Sequence, residues 1–411
     1  MRGVCFFLAL ASAYGAEPAL SLNGLVEEAL QNNREILVAQ KRYEAATQRP
    51  RQAGALPDPV FSAGYSAGGN PLPGAGLGTN PASNIGFSVT QAIPYPGKRR
   101  LRENAASKEA EAEFAQYQLT KRNVIARLKQ AFFQLQHSYA AGEVLERNRE
   151  LLRELLKVTE ARYAVGKAAE PDIFKLQTQL SIVETRRLQL EQERQVAQAE
   201  MLRLLDRQAG AILERPGEPH LEAMPAALDD LYAHALASPI LLRDQKIVEH
   251  SELAVNLARK DFYPDYAVTG GYYNQGSMAP LYSVRLDIGL PVFPSRKQRP
   301  ALTERVDDLW AARHNYEASE QSIRAQIKQD YAIARTSLDL MKLYRDTAIP
   351  QAKLAIESAL PSYESGDLDF LSVLTNYTTV IDLEMDYHVG MLNYHLALAR
   401  LEEATGLALI H

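Results

Sequence analysis

Long stretches of the chain place apolar side chains three, four or seven residues apart, the spacing of one face of an α-helix. The apolar positions of two such stretches are Leu145, Leu152, Leu156, Leu176, Leu180 and Val183. The long segments without proline are 97–170, 172–215, 301–349 and 362–411. They are rich in the strong helix formers Ala, Leu, Glu, Gln, Lys and Arg. The pattern predicts helices of about 40–60 residues, roughly 60–90 Å long, as in a coiled coil or a helical tube.

Four shorter segments alternate apolar and polar side chains instead, which is the period of a β-strand. The clearest runs from Tyr282 to Leu290 (YSVRLDIGL), with a large apolar residue at every second position. The alternation predicts strands at about 59–68, 83–93, 265–274 and 281–291. Strands of about 9–11 residues with one apolar and one polar face suit a membrane β-barrel. A half-buried soluble sheet has the same period.

The order of these elements occurs twice along the chain. Leu56-Pro57-Asp58-Pro59 recurs as Tyr263-Pro264-Asp265-Tyr266, and Tyr163-x-x-Gly166 recurs as Tyr363-x-x-Gly366. Each half therefore reads helix, strand, loop, strand, long helix, turn, long helix. This ordered agreement predicts a tandem duplication, with one repeat over 17–215 and a second over 216–411. The predicted fold class is mainly α with a small β part.

The N-terminal residues predict export. Arg2 precedes an apolar run from Val4 to Ala11, and Ala11-Ser12-Ala13 has the small-x-small form of a signal-peptidase site. We expect residues 1–16 to be a signal peptide that is cleaved near 13–16. A buried first helix or a membrane anchor fits less well, because the run is too short to span a bilayer.

Composition narrows the class of protein. The 411 residues carry 45 Lys and Arg against 50 Asp and Glu, and this net charge of -5 argues against a nucleic-acid partner. The single cysteine, Cys5, excludes a disulfide scaffold and a cysteine-rich metal site. No segment beyond the N-terminal run approaches the roughly 18–20 unbroken apolar residues of a membrane-spanning helix.

Catalytic and cofactor motifs are missing from the sequence. It holds no Gly-rich phosphate loop, no Gly-x-Ser-x-Gly and no His-Glu-x-x-His. His388 and His395 lie seven residues apart near Glu384, a spacing that packing explains more simply than a metal site. We therefore predict that the protein is not an enzyme and uses no metal or other cofactor.

Four strands are too few to close a membrane barrel. An open sheet edge in lipid leaves backbone groups unpaired, at a cost of several kcal/mol for each group. Several copies of the chain can remove these edges by sharing one barrel. Three copies of four strands supply 12 strands, within the range of known barrels, and their long helices could form a second tube.

In this order, the elements resemble those of TolC-type outer-membrane efflux channels over nearly the whole chain, about Leu20 to Leu409. The residues that carry the resemblance are the helix from Leu22 to Asn33, Leu56-Pro57-Asp58-Pro59, Gln91-Ala92-Ile93-Pro94-Tyr95-Pro96-Gly97-Lys98-Arg99, Tyr163-Ala164-Val165-Gly166 and Tyr363-Glu364-Ser365-Gly366. The Pro-Tyr-Pro-Gly-Lys form is most similar to the heavy-metal branch, such as cobalt–zinc–cadmium or copper–silver systems.

The resemblance implies a passive homotrimer in the outer membrane of a Gram-negative-type bacterium. A 12-stranded β-barrel would cross the membrane lipid, and an α-helical barrel would project into the periplasm. There it would meet a periplasmic adaptor and an inner-membrane pump of the RND type. Selectivity would then lie mostly in the pump, so the sequence does not indicate the transported solute.

In this family the periplasmic end closes like an iris near the Tyr-x-x-Gly turns. The positions that match these turns are Tyr163, Gly166, Tyr363 and Gly366. Ser372 stands where some members carry a pore-facing acid, and Asp172, Asp367 and Asp369 are nearby acids that could form a charged ring. The simpler interpretation of these acids is helix capping and interaction with the helix dipole.

The same turns would meet the adaptor. The candidate contact residues are Arg162, Lys167, Glu364 and Ser365, and an ordinary solvated surface is the alternative for each. Two other classes of protein stay open. A periplasmic coiled-coil scaffold or adaptor would explain the long helices but not the alternating strands, and an exported enzyme would need a catalytic set that the sequence does not offer.

Overall fold

The computed structural model describes residues 20–69, 71–217, 224 and 227–410. The helices are α1 (Leu22–Asn32), α2 (Arg34–Ala46), α3 (Arg49–Gly54), α4 (Lys98–Ala164), α5 (Glu170–Leu204), α6 (Leu228–Ala235), α7 (Pro239–Lys260), α8 (Gln298–Leu343), α9 (Ile349–Ser365) and α10 (Phe370–Thr405). The strands are β1 (Val60–Ser66), β2 (Asn84–Ile93), β3 (Asp265–Asn274) and β4 (Leu281–Gly289). The mainly helical fold with a small β part is confirmed. The predicted signal peptide lies outside the described residues.

The chain forms two compact units, and each draws on both halves of the sequence. One comprises the described residues of 1–37, 121–236 and 323–411, and the other comprises 38–120 and 237–322. The second unit holds the sheet, and the first holds the two Tyr-x-x-Gly turns. No helix within the described residues combines the length and the apolarity needed to cross a lipid bilayer.

The sheet is antiparallel, with its strands in chain order from β1 to β4. Phe87 of β2 pairs with Tyr272 of β3, and Tyr272 pairs with Tyr282 of β4. Because side chains alternate along a strand, these pairs place most of the large apolar residues on one face. Serine, threonine, Arg285 and Asp287 occupy the other face. The alternation in the sequence therefore corresponds to a real division of the sheet into an apolar and a polar side.

Two of the sequence motifs, Gln91–Arg99 and Tyr263–Tyr266, meet beside the sheet. Lys98, at the start of α4, is 2% exposed, and its Nζ lies 3.0 Å from the carboxylates of Asp261 and Asp265. The Tyr95 and Tyr263 rings stack with their centroids 4.6 Å apart. This buried cation joins the start of α4 to the segment that leads from α7 into β3.

The core of the helical unit lies between α4, α5, α9 and α10. It contains the predicted apolar stripes, since Leu145, Leu152, Leu176 and Val183 are fully buried there. Each of these helices buries the one face on which its apolar side chains recur. The apolar spacing in the sequence therefore predicts which residues form the core.

Pro350 and Pro361 both lie within α9. The helical path continues from α8 through a π-helical turn, Tyr344–Ala348, into α9. Pro350 stands in the first turn of α9, where a backbone N–H is not needed. Pro361 lies inside α9 on its exposed side. The wider π turn before it helps to accommodate Pro350 within this helical path.

α4 and α10 are joined by a buried ion pair. The Lys129 Nζ lies 2.5 Å from the Glu402 carboxylate, and both side chains are about one-tenth exposed. The other Glu402 oxygen accepts hydrogen bonds from the backbone N–H groups of Leu409 and Ile410, at 2.7 and 2.9 Å. Glu402 thus pairs with a buried cation and accepts hydrogen bonds from two backbone N–H groups just after the end of α10.

Candidate functional site

The two Tyr-x-x-Gly turns have the same backbone structure. In the first, the Lys167 N–H donates to the Arg162 carbonyl at 2.8 Å, and the Gly166 N–H donates to the Tyr163 carbonyl at 2.9 Å. This pair of bonds is a Schellman motif, which closes the C-terminal end of a helix. It ends α4 and leads into α5.

The second turn ends α9 in the same way. The Asp367 N–H donates to the Ser362 carbonyl at 2.9 Å, and the Gly366 N–H donates to the Tyr363 carbonyl at 3.1 Å. Gly366 has φ +95°, and Gly166 has φ +73°. A side chain is disfavoured at such angles, which explains the glycine in both motifs.

Arg162 joins the two turns. Its Nη1 donates to the Glu364 carbonyl at 2.6 Å, and its Nη2 donates to the Lys167 carbonyl at 3.4 Å. The guanidinium carbon lies 4.5 Å from the centroid of the Tyr363 ring, within cation–π range. From the sequence, Arg162 is predicted to contact the adaptor. The structure places it, half-buried, between the ends of α4 and α9.

The two tyrosines occupy different environments. Tyr363 is 3% exposed and lies 6.1 Å from the Phe370 ring, whereas Tyr163 is 45% exposed. Phe370 was not predicted as a site residue; its signal is an aromatic residue directly after an aspartate at the start of a helix. The Tyr363 hydroxyl and the Arg162 Nε are buried and have no hydrogen-bond partner within the described chain. Leaving a buried polar atom unpaired lowers stability, so these two groups are a local cost at the turns.

The acids of the second turn are bound to local hydrogen-bond donors. Asp369 caps α10 by accepting the Ser372 N–H at 3.1 Å, and hydrogen bonds from Ser372 hold the pKa of Asp369 below its ordinary value. Asp367 accepts the Ser365 hydroxyl at 2.7 Å. Both aspartates are exposed, whereas Ser372 is half-buried. Capping therefore accounts for Asp369, and its negative charge still faces solvent.

The remaining candidates lie around the same turns. Asp172 is near the start of α5, and its carboxylate lies 3.5 Å from the Lys175 Nζ. Lys167, Glu364 and Ser365 are exposed. The turns bring Arg162, Lys167, Tyr363 and Glu364 into one contact group, and they leave Asp172 outside it.

Above the turns, α4 and α10 bring together a histidine pair that the sequence did not reveal. His388 lies near His137 of α4, while His395 stacks on Phe133 with the ring centroids 4.3 Å apart. Burial and the neighbouring His137 lower the pKa of His388 to about 4. Within the described residues, no group of three or more His, Cys, Asp or Glu side chains could hold a metal ion.

This shift predicts a loss of stability in mild acid. The ordinary histidine pKa is 6.5, and the folded value is about 4. Between these values the unfolded chain takes up a proton that the folded chain does not, so the free energy of unfolding falls as the pH falls. The expected loss from His388 is about 3 kcal/mol between pH 6.5 and pH 4. Urea unfolding at a series of pH values measures it.

A His388→Asn variant should flatten this pH dependence, since it removes the titrating ring from the seam between α4 and α10. His314 is an exposed histidine on α8, and His314→Asn is the matched control. The interpretation is wrong if both variants keep the slope of the parent protein.

Comparison with known proteins agrees with this architecture. The outer membrane efflux protein family matches residues 25–206 and 233–407. The cobalt–zinc–cadmium resistance protein CzcC of Cupriavidus metallidurans is 21% identical over 301 residues, which are 72% of this chain and 70% of CzcC.

Solved structures give the same result for the fold. The outer membrane protein VceC of Vibrio cholerae has a TM-score of 0.80 at 20% identity, covering 95% of this chain and 97% of VceC. CusC, described for its transmembrane channel formation, has a TM-score of 0.78 at 16% identity, covering 94% of this chain and 92% of CusC. The family match covers both halves of the chain and includes both Tyr-x-x-Gly turns, and the chain therefore belongs to the outer membrane efflux protein family.

Proposed function

We propose that the protein is the outer-membrane channel subunit of a tripartite efflux system. Three copies form a passive conduit that carries pump-delivered solutes from the periplasmic side to the exterior, and the chain performs no chemistry on them. The observation that carries this proposal is the family match together with the exposed apolar face of the sheet.

That face has a row of aromatic rings across all four strands. Phe61 lies 5.9 Å from Phe87, Phe87 lies 5.8 Å from Tyr272, and Tyr272 lies 5.4 Å from Tyr282, measured between ring centroids. Aromatic rows of this kind are typical of barrel strands at a membrane interface. A water-facing scaffold would have no use for them, which argues against the coiled-coil alternative.

The free edges of the sheet support sharing between copies. β1 and β4 each pair with only one strand of the sheet. In lipid their unpaired backbone groups need partners, and β1 of one copy can pair with β4 of the next. Three copies close a 12-stranded barrel through the outer membrane, with the helices in the periplasm and the tandem repeats (17–215 and 216–411) arranged around one axis.

The contact group around Arg162 serves as the periplasmic gate in this proposal. Arg162 holds the ends of α4 and α9 together, so the pore end widens only when this bridge is released. A periplasmic adaptor, coupled to an inner-membrane pump of the RND type, would release it. Lys167, Glu364 and Ser365 are exposed around the bridge, and together with Arg162 itself they are the proposed adaptor contacts.

Heavy-metal cations are the proposed substrates. The name of CzcC associates that relative with cobalt, zinc and cadmium resistance. Acidic rings attract cations, and three copies would place six exposed carboxylates, from Asp367 and Asp369, around the turns.

The test is the protomer count and membrane position of the detergent-extracted protein, by native mass spectrometry and membrane fractionation. We expect a trimer in the outer-membrane fraction that forms ion-conducting pores in planar bilayers. A soluble periplasmic monomer would overturn the proposal, because its sheet would keep two unpaired edges.

Replacing both Asp367 and Asp369 by asparagine should lower the cation preference of these pores. Asparagine caps helices as well as aspartate does, so the change removes charge and leaves the start of α10 intact. We expect the cation-to-anion permeability ratio to fall by about two-fold or more, measured as the reversal potential in a salt gradient. Glu357→Gln, an exposed acid of α9, is the control. An unchanged ratio would exclude these two acids as the filter.

A further inference from the structure

A cavity of about 360 Å³ lies between α4, α5 and α10 in the helical unit. Its walls carry four polar and two apolar side chains, which are Gln134, His137, Gln192, Glu193, Val196 and Leu392. The volume is that of about ten water molecules, so a partly hydrated ion fits within it. His137 belongs to the histidine pair described above, and its ring also reaches this cavity.

The His137 ring offers one nitrogen without a partner. Its Nδ1 is buried and has no hydrogen-bond partner within the described residues. The ring also hydrogen-bonds to the backbone carbonyl of His388, and since Nδ1 is unpaired this bond is made through Nε2–H. A neutral imidazole that donates through Nε2 keeps a lone pair on Nδ1. Burial lowers the pKa of His137, so the ring is neutral at neutral pH.

The acid of the cavity differs from its neighbours on α5. Three other glutamates of this helix each pair with the arginine three residues further along, as Glu184–Arg187, Glu191–Arg194 and Glu200–Arg203. Glu193 has Val196 at that position instead, so no arginine of this series neutralises it. The negative charge of Glu193 acts on the His137 ring. The cavity thus brings an imidazole lone pair and a carboxylate together from two helices.

We propose that His137 and Glu193 form a binding site for a divalent transition-metal cation. Imidazole nitrogen and carboxylate oxygen are both ligands of zinc, and imidazole also suits nickel and copper. A histidine that binds a metal usually donates its second ring N–H to a backbone carbonyl or a carboxylate, which fixes the ring. The hydrogen bond from His137 to the His388 carbonyl has this form.

Two protein ligands make an exchangeable site. In the part of the chain that the structure describes, no third His, Cys, Asp or Glu side chain completes a set of three. Water would therefore occupy the remaining positions around the ion, as it does in zinc sites that keep an open position. Weak binding suits a conduit, because a solute that binds tightly would not leave. The inference rests on the proposed function, in which metal cations are the cargo, and it adds a contact for that cargo.

Zinc titration of the detergent-extracted protein, purified without a histidine tag, tests this site. In calorimetry, His137→Ala and Glu193→Gln should each weaken Zn²⁺ binding by about ten-fold or more. His314 and Glu317 form an exposed His–Glu pair on α8, so His314→Ala is the matched control and should leave the affinity unchanged. Excess Mg²⁺ should not displace the zinc, because Mg²⁺ prefers oxygen ligands.

Unchanged zinc affinity in Glu193→Gln would overturn the inference even if His137→Ala does not fold, because Glu193 is exposed and its replacement leaves the packing intact. An equal loss in His314→Ala would indicate adventitious surface binding and would also overturn it. Bilayer recording and native mass spectrometry of the same samples separate the two proposals. Trimeric pores without zinc binding would leave only the channel proposal, whereas zinc binding without pores would leave only the site.

Discussion

Replacing Glu402 by alanine is expected to lower the free energy of unfolding by about 3–5 kcal/mol. The change leaves the Lys129 ammonium buried without its partner, because only about one-tenth of that side chain is exposed. It also removes the acceptor of the Leu409 and Ile410 backbone N–H groups. Urea unfolding of the detergent-extracted protein, followed by circular dichroism, measures the loss.

The neighbouring acid provides the control for this prediction. Glu403 accepts one hydrogen bond, from the Asn123 amide at 2.9 Å, and that bond is exposed. Glu403→Ala should therefore cost less than about 1 kcal/mol. The double variant Lys129→Met with Glu402→Gln should recover much of the stability, since it leaves no buried ion unpaired and keeps an acceptor for the two backbone N–H groups. Equal effects of Glu402→Ala and Glu403→Ala would contradict the assignment.

Replacing Arg162 by alanine is expected to open the periplasmic end of the channel. The change removes a charged hydrogen bond to the Glu364 carbonyl and the cation–π contact with Tyr363. Together these contribute about 2–5 kcal/mol in each copy, so the open fraction should rise by about ten-fold or more. Single-channel recording in planar bilayers measures the conductance and the open fraction.

Two further variants distinguish loss of the Arg162 bridge from loss of a positive charge at the turn. Lys167→Ala removes a cation of the same turn, and only the backbone of Lys167 takes part in the bridge. Its open fraction should stay near that of the parent protein. Arg162→Lys keeps the charge but loses the planar group that stacks on Tyr363, so its effect should be intermediate. The gate is placed wrongly if Lys167→Ala opens the channel as much as Arg162→Ala does.

The turns at the candidate gate illustrate what sequence can and cannot predict. Tyr-x-x-Gly is local: the glycine follows from a backbone angle of +73° or +95°, which the neighbouring residues impose. The bridge is not local, since Arg162 and Glu364 are 202 residues apart in the chain. Adaptor contact is the prediction for Arg162 because the resemblance implies that an adaptor docks around these turns, and it stays a prediction. What the sequence does not predict is that the ends of α4 and α9 bring the Arg162 guanidinium against the Glu364 carbonyl and the Tyr363 ring.

The histidines also show the difference between local sequence patterns and contacts made by distant parts of the chain. Their spacing on α10 directed attention to His388 with His395, a pair from one helix. The pair that forms instead joins His388 to His137, which lies on α4. Contacts between helices that are distant in sequence depend on how their faces pack, and helical periodicity alone does not specify which faces meet.

By itself the sequence determined the class of fold: the positions of the long helices, four strands with an apolar and a polar face, and two turns of one kind. These follow from periodicity, helix propensity and glycine geometry, all of which act between near neighbours in the chain. The tertiary structure decided which residues meet at the gate, that Tyr363 is buried while Tyr163 is exposed, and that the helix continues through Pro350. It decided them because burial and pairing depend on surfaces brought together from both halves of the chain.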